Sequence, residues 1–310
     1  MKYSSKKEFL EVQNKLYDAM ENILKENNIA KLNYKLVEQD IFFRPDKDII
    51  INRRYTANIN GWLQELKWLS GNIYEEMLLC LSYNNIYDKF DSPLRGSLKF
   101  VNRERYLKLT IYDLFTFREK LAFLMYEMFN RQIKIPTIKY VSINNKREKK
   151  EILKKLDKNE VSFDKINNGL KIIDISLENI SWINNEEFKL IKDIMNQFSI
   201  NEHVKILKQI RHPFTHRSNP GIDCFPMQSF EYKEVDESSR KMLLHMDEMS
   251  GIKDAKKLNY IVTSATPLEK QIKFDDAIVD VLATWELFVL GLKNLLRNVD
   301  ILKQQVSGFY

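Results

Sequence analysis

Apolar residues recur every three or four positions over long stretches of this chain, and this spacing predicts long amphipathic helices. The first helix is predicted to begin near Ser5, whose side chain can cap it while Glu8 reaches back to the cap. A second apolar stripe continues without interruption across Gly61 and Gly71. It predicts one long helix from about residue 56 to residue 84.

Four further helices are predicted downstream. Thr110 and Asp113 form a capping pattern that marks the start of one of them. Two more are predicted at residues 186–198 and 201–213. The last has the clearest apolar period and spans Asp275 to Leu302, with the aspartate as its cap.

Two regions, at about 136–180 and 218–273, break the helical pattern. Each contains segments rich in β-branched or aromatic residues, which predict short strands. These segments are residues 137–143, 170–175, 225–235 and 258–264. We interpret both regions as insertions into a helical domain of residues 46–310, which follows an N-terminal helical extension of residues 1–45.

The composition agrees with a mainly α fold. Of the 310 residues, 8 are glycine and 7 are proline, too few for the many tight turns of a β-sandwich or barrel. The glycines are too widely spaced for a Walker A loop or a GxGxxG dinucleotide site, and both are excluded. The net charge of +6 permits an anionic partner without requiring one.

We expect a cytoplasmic protein without a membrane-spanning segment. The start of the chain lacks an apolar signal core, and the apolar stretch 277–292 is interrupted by Asp280 and Glu286. The two cysteines, Cys80 and Cys224, provide no disulfide framework, as is typical of a reducing compartment.

Candidate chemistry is concentrated in one short segment near the end of the helix predicted at 201–213. Two of the four histidines, His212 and His216, lie there beside Arg211. In a helical projection Arg211 falls inside the apolar arc, whereas Lys208 falls outside it. An arginine on an apolar face needs a carboxylate, a ligand phosphate or a subunit interface to compensate for its lost hydration.

Pro213 is expected to end or kink this helix, because it lacks an N–H group and its ring opposes the carbonyl of Gln209. Thr215, His216 and Arg217 would then lie on the following turn. An arginine at a helix end and a histidine five positions later suit phosphate chemistry. The guanidinium can bind phosphate oxygens and the imidazole can transfer a proton near neutral pH.

The sequence RHPFTH, from Arg211 to His216, resembles the R-x4-6-H motif of the HEPN superfamily, in which a polar residue such as His212 follows the arginine. HEPN domains are all-α bundles with this motif at the end of one core helix and a second long helix after it. The interval 217–274 is longer than the usual link, and an inserted subdomain accounts for the difference. The resemblance implies a HEPN-like helical bundle with a small α/β or β-hairpin insertion.

The resemblance further implies a metal-independent endoribonuclease without a cofactor. In that mechanism the ribose 2'-hydroxyl attacks the adjacent phosphate and leaves a 2',3'-cyclic phosphate, so DNA is spared. His216 would be the general base or acid, Arg211 would stabilise the pentavalent phosphate, and His212 would orient one of them or bind substrate. The candidate substrate-binding residues near the motif are Thr215, Arg217 and Lys208.

The expected partners follow from the same resemblance. The reaction moves two protons and each chain offers one motif, so we expect a homodimer with the motif helices facing across the two-fold axis. RNA is the expected substrate. HEPN nucleases are often toxins or phage-defence effectors, which makes an antitoxin or regulatory partner a further expectation.

The two histidines also allow a metal site. His212 and His216 have the i, i+4 spacing of helical metal ligands, and Asp223 or Cys224 would complete a zinc site. The helix break expected at Pro213 argues against a metal site, because that spacing requires a continuous helix.

Two further interpretations of the segment assign it no catalysis. In the first, Arg211 would pair with a buried carboxylate such as Glu75 or Glu76 while His216 caps carbonyls at a helix end. In the second, the chain would bind RNA or nucleotides, or act as a scaffold, without cleavage, as some HEPN-like proteins do. His203 is predicted to be a core histidine that a backbone carbonyl satisfies.

Overall fold

The computed structural model describes most of the helical regions of the chain. The described residues are 5–26, 29–32, 49–129, 162–173, 183–216, 222–224, 228–238, 240–242, 245, 260–267 and 271–306. Of residues 49–56, 213–216, 232, 261, 263 and 297–306 the backbone alone is described. The strand predicted at 137–143 lies outside the described residues.

The described chain is mainly α-helical, as the sequence predicts. In chain order its elements are α1 (Lys6–Glu26), α2 (Ile49–Ile86), α3 (Leu94–Gly96), α4 (Glu104–Phe129), α5 (Phe163–Ile172), α6 (Asn185–Ile200), α7 (Glu202–His216), β1 (Gln228–Glu234), β2 (Tyr260–Pro267) and α8 (Phe274–Val306). A short 3₁₀ turn, Tyr87–Lys89, follows α2, and a π-helical stretch, Ser97–Arg103, joins α3 to α4. Among the described residues, none of the helices has the length and apolar character needed to cross a membrane.

The first two helices confirm the predictions from apolar spacing. In α1 the Oγ atom of Ser5 accepts a hydrogen bond from the N–H of Glu8 at 3.1 Å, as a capping serine should. Helix α2 passes through Gly61 and Gly71 and is longer than predicted at both ends.

The helix start predicted at Thr110 is wrong. Thr110 lies inside α4, where its hydroxyl donates a hydrogen bond to the carbonyl of Tyr106 at 2.8 Å. A threonine can bond backward to the carbonyl one turn earlier as well as cap a helix start. The true helical run begins at Leu94 and reaches α4 through the π-helical stretch.

The strand predicted at 170–175 is also wrong over its first three residues, which belong to α5. In α5 the buried residues Ile166 and Leu170 are four positions apart, a helical spacing. The strands predicted at 225–235 and 258–264 are confirmed. There β1 and β2 pair in antiparallel order, from Gln228 opposite Pro267 to Glu234 opposite Tyr260, with a register shift after Glu231.

The chain divides into two compact units. We call residues 1–208 with 278–310 the helical unit, and residues 209–277 the hairpin unit. The core of the helical unit contains an aromatic cluster from four helices. Phe117 of α4 lies edge-on to Trp285 of α8, with ring centroids 5.6 Å apart. Phe198 of α6 packs between Phe288 of α8 at 4.5 Å and Phe163 of α5 at 6.2 Å.

A second apolar cluster joins α1 to the end of α2 and to the segment after it. Its buried members are Val12, Leu16, Ala19, Tyr83, Ile86, Leu94 and Leu98. On α2, Cys80 is fully buried, and burial raises the pKa of its thiol, so it is the small core residue that its place on the apolar stripe indicates.

Candidate functional site

Helix α7 carries the arginine and the histidines of the motif, and its two faces are divided as the apolar pattern predicts. Val204 and Leu207 are buried, whereas Lys205 and Lys208 are exposed. Arg211 lies between these extremes: the residue is half-buried and its Nε atom is buried. Its guanidinium is therefore held partly out of water rather than extended into solvent.

The helix end predicted at Pro213 is wrong, because α7 remains helical as far as His216. Proline removes one backbone hydrogen bond, the one that would reach the carbonyl of Gln209. Of α7 only residues 214–216 follow the proline, so few later backbone bonds depend on the turn that it disturbs. The penalty is therefore smaller than in the middle of a long helix.

A continuous α7 changes which motif residues share a face. His212 and His216 are one turn apart, and so are Arg211 and Thr215. Arg211 and His216 are separated by about 140° around the helix axis. His212 is exposed. The side chains of Thr215 and His216 and the whole of Arg217 lie outside the described residues.

Lys208 lies against Asp164 of α5, with its Nζ atom 3.4 Å from Oδ2. Both side chains are more than half exposed, so the pair contributes less than about 1 kcal/mol. Oδ1 of Asp164 accepts a hydrogen bond from Nη2 of Arg118 at 2.5 Å. The buried guanidinium of Arg118 lies 4.3 Å from the ring centroid of Phe163. Since Arg118 already neutralises Asp164, Lys208 can exchange this carboxylate for an external anion at little cost.

His203 is not the core histidine that the sequence predicts. Its side chain is 42% exposed, and its Nδ1 atom lies 2.6 Å from Oδ1 of Asp280 on α8 rather than against a backbone carbonyl. Asp280 itself is buried. A buried carboxylate at Nδ1 fixes the orientation of the imidazole ring.

The sequence contains one sign of this pair. Asp280 interrupts the most apolar part of α8, and a carboxylate on a buried face needs a hydrogen-bond partner. The apolar pattern presents it only as an interruption and does not connect it with His203, which lies 77 positions earlier.

Glu76 of α2 has a different environment. Burial, together with the smaller effect of the neighbouring carboxylates of Asp113 and Glu75, raises the pKa of its carboxyl to about 8. Burial also raises the pKa of Asp113. Glu76 therefore holds a proton at neutral pH, when an ordinary glutamate has lost it.

In the hairpin unit, Asp223 caps α8. Its Oδ1 atom accepts a hydrogen bond from the N–H of Phe274 at 2.9 Å, and its own N–H donates to the carbonyl of Ile272 at 2.9 Å. Its φ angle is 54°, in the left-handed region that aspartate adopts more readily than most residues. The cap predicted at Asp275 is wrong, because α8 begins one residue earlier and Asp275 lies within the first turn.

No group of three or more His, Cys, Asp or Glu side chains is arranged to hold a metal ion within the described ranges. Cys224, next to Asp223, is half-buried. Comparisons of the chain with profiles of known protein families, with curated proteins and with solved structures give no match.

Proposed function

We propose that this chain is a metal-independent endoribonuclease in which Arg211 stabilises the transition state of phosphodiester cleavage. The observation that carries the proposal is the setting of Arg211 on α7. The arginine is half-buried with a buried Nε atom, and the next residue, His212, is exposed. A guanidinium held partly out of water interacts more strongly with a phosphate than a fully hydrated one does.

The proposed reaction needs a group that removes the proton of the ribose 2'-hydroxyl, a group that protonates the leaving 5'-oxygen, and a cation for the charge on phosphorus. Arg211 is the cation. His216 is the general base or acid, in keeping with the resemblance of RHPFTH to the HEPN motif. His212 orients the phosphate or binds the flanking nucleotide, and Lys208, Thr215 and Arg217 contact neighbouring phosphates.

The continuous helix supports the proposed homodimer. Arg211 and His216 lie about 140° apart around the axis of α7, so a small site beside one helix does not easily include both. Two copies of α7 across a two-fold axis would let Arg211 of one protomer act with His216 of its partner. The proposal extends to a toxin or defence role with an antitoxin or regulatory partner, and this extension rests on the family resemblance alone.

Cleavage of a mixed RNA pool in the presence of EDTA tests the activity. Wild type should produce fragments with 2',3'-cyclic phosphate ends, and Arg211→Ala and His216→Ala should each reduce the rate by about a hundredfold or more. A matching RNA in which the 2'-hydroxyls are methylated should stay intact.

Arg240→Ala and His245→Ala are matched controls. Each removes the same type of side chain as the corresponding motif variant, from an exposed position in the same unit. They should cut like wild type. If Arg211→Ala cuts as fast as Arg240→Ala, Arg211 has no catalytic role. Binding of RNA without cleavage by wild type would instead assign the chain to the non-catalytic RNA-binding proteins.

A metal-dependent site is the second candidate, and the continuous helix is the observation that favours it. With α7 helical through His216, His212 and His216 have the one-turn spacing of a helical metal pair. Elemental analysis of the purified protein separates the two candidates. Stoichiometric zinc that is lost in His212→Ala, together with cleavage that stops in EDTA, would replace the metal-independent mechanism.

A further inference from the structure

A cavity of about 390 Å³ lies between the end of α5 and the start of α6 in the helical unit. Its lining residues are Lys171, Ile172, Ile173, Asn185, Phe188, Lys189 and Lys192. The described lining thus contains three lysines and no carboxylate. This charge of one sign distinguishes it from the cleft between α1 and the end of α2, where lysines and acidic residues are mixed.

One of the three lysines is fixed in place. Lys192 donates a hydrogen bond to the carbonyl of Ile173 at 2.8 Å, and its ammonium lies 4.6 Å from the ring centroid of Phe188. These contacts hold a cation at the wall of the cavity and cost a ligand little further ordering of that side chain.

The other two lysines are exposed at the edge of the cavity. Within the described part of the chain, neither Lys171 nor Lys189 forms an ion pair with a carboxylate. Lys189 and Lys192 are three positions apart on α6, a spacing at which like charges repel. An anion in the cavity would relieve this repulsion.

The start of α6 does not itself require that anion. Asn184 and Glu187 form a capping box, in which the Asn184 side chain accepts the N–H of Glu187 at 2.9 Å and Glu187 accepts the N–H of Asn184 at 3.2 Å. The case for a ligand therefore rests on the three ammonium groups and the cavity, and not on free N–H groups at a helix end.

We propose that this lysine cavity binds a backbone phosphate of an RNA chain, outside the cleavage motif on α7. The two exposed ammonium groups would contact the phosphate oxygens, and the apolar wall of Phe188 and Ile173 would face the attached sugar or base. The choice of RNA as the polymer rests on the proposed function, whereas phosphate recognition follows from the three lysines and the cavity that they line.

Binding of a short fluorescent RNA with methylated 2'-hydroxyls, measured by anisotropy in EDTA at several salt concentrations, tests the proposal. Lys171→Ala/Lys189→Ala should weaken binding by about tenfold at moderate salt. It should also reduce the slope of log K against log salt by about 1.4, the value for two lost contacts on a single strand. Lys6→Ala/Lys7→Ala removes two exposed lysines of α1 and is the matched control, with wild-type affinity and slope.

Equal binding by the two double variants overturns the proposal. Competition by inorganic phosphate or a mononucleotide at the same phosphate concentration as the RNA would also overturn it in favour of a site for free phosphates. The methylated RNA cannot be cleaved by 2'-hydroxyl attack, so binding is measured apart from catalysis. Cleavage that fails in wild type while the Lys171→Ala/Lys189→Ala effect remains would reject the nuclease and retain the phosphate site.

Discussion

The helical unit and the hairpin unit differ in how much apolar surface they bury. In the helical unit Phe117, Phe198 and Trp285 are fully buried among aromatic neighbours. In the hairpin unit Phe230 of β1 is 46% exposed and Tyr260 of β2 is 57% exposed. A two-stranded sheet is marginal without a covered face. Among the described residues, large buried side chains are therefore concentrated in the helical unit, where their burial stabilises the fold.

The largest expected effect tests this contrast directly. Phe117→Ala should lower the free energy of unfolding by about 3–5 kcal/mol, because it leaves a cavity beside Trp285 and Phe288. Phe230→Ala should change the free energy of unfolding by no more than about 0.5 kcal/mol, since that side chain is half exposed. Urea denaturation of both variants measures the difference. Similar losses would show that the hairpin has a covered face and that the contrast is wrong.

Two glycines of the helical unit differ in how closely their surroundings are packed. A Cβ atom at Gly291 of α8 would lie closer to the ring of Phe198 than van der Waals contact allows. Gly291→Ala should therefore destabilise the protein by about 1–3 kcal/mol. Gly71 is the matched control, because apart from its two chain neighbours and the nearby backbone of its own helix no atom lies within 4 Å of its added Cβ.

Gly71→Ala should raise stability by about 0.5–1 kcal/mol through helix propensity. The melting temperatures of the two variants should move in opposite directions. A rise for both would mean that α8 and α6 do not pack as closely as the Phe198 contact indicates.

An effect smaller than that of Phe117→Ala concerns the protonated carboxyl of Glu76. Its pKa is raised from 4.5 to about 8, so the folded protein holds a proton that the unfolded chain releases. This contribution to stability is complete below pH 4.5 and is lost as the pH rises through 8. Glu76→Gln should stabilise the protein at pH 8 by about 1 kcal/mol, less than the full shift implies because the carboxyl is only partly buried.

Denaturation of wild type and Glu76→Gln at pH 5 and pH 8 measures this effect, with Glu234→Gln on the exposed β1 strand as the control. The Glu76 variant should lose less stability over this range than either wild type or the control. Parallel pH curves for all three proteins would contradict the raised pKa.

The helices were predictable because their apolar spacing is a direct consequence of helix geometry, as in the stripe of α2 that crosses two glycines. Their ends were less predictable. Thr110 bonds backward inside α4 instead of capping it, and Pro213 is tolerated within α7. A threonine can either cap a helix or bond backward within one, and a proline near a helix end disturbs few later backbone bonds, so residue type alone does not place these helix ends.

The candidate site was predictable only in part. The half-buried setting of Arg211 and the exposed setting of Lys208 follow from their positions in the helical period. The pair of His203 and Asp280 does not, because it depends on how α7 packs against α8. A contact between residues 77 positions apart is set by tertiary packing, which helical period alone does not specify.

The attachment of Asp223 to the start of α8 closes a long loop in the hairpin unit. Ile222 pairs with Ile272, and Asp223 bonds to Phe274, so the two ends of the intervening segment are held together. The entropy lost on closing such a loop grows only with the logarithm of its length, at about 0.6 kcal/mol per doubling. Adding or removing residues between β1 and β2 should therefore cost little loop-closure entropy.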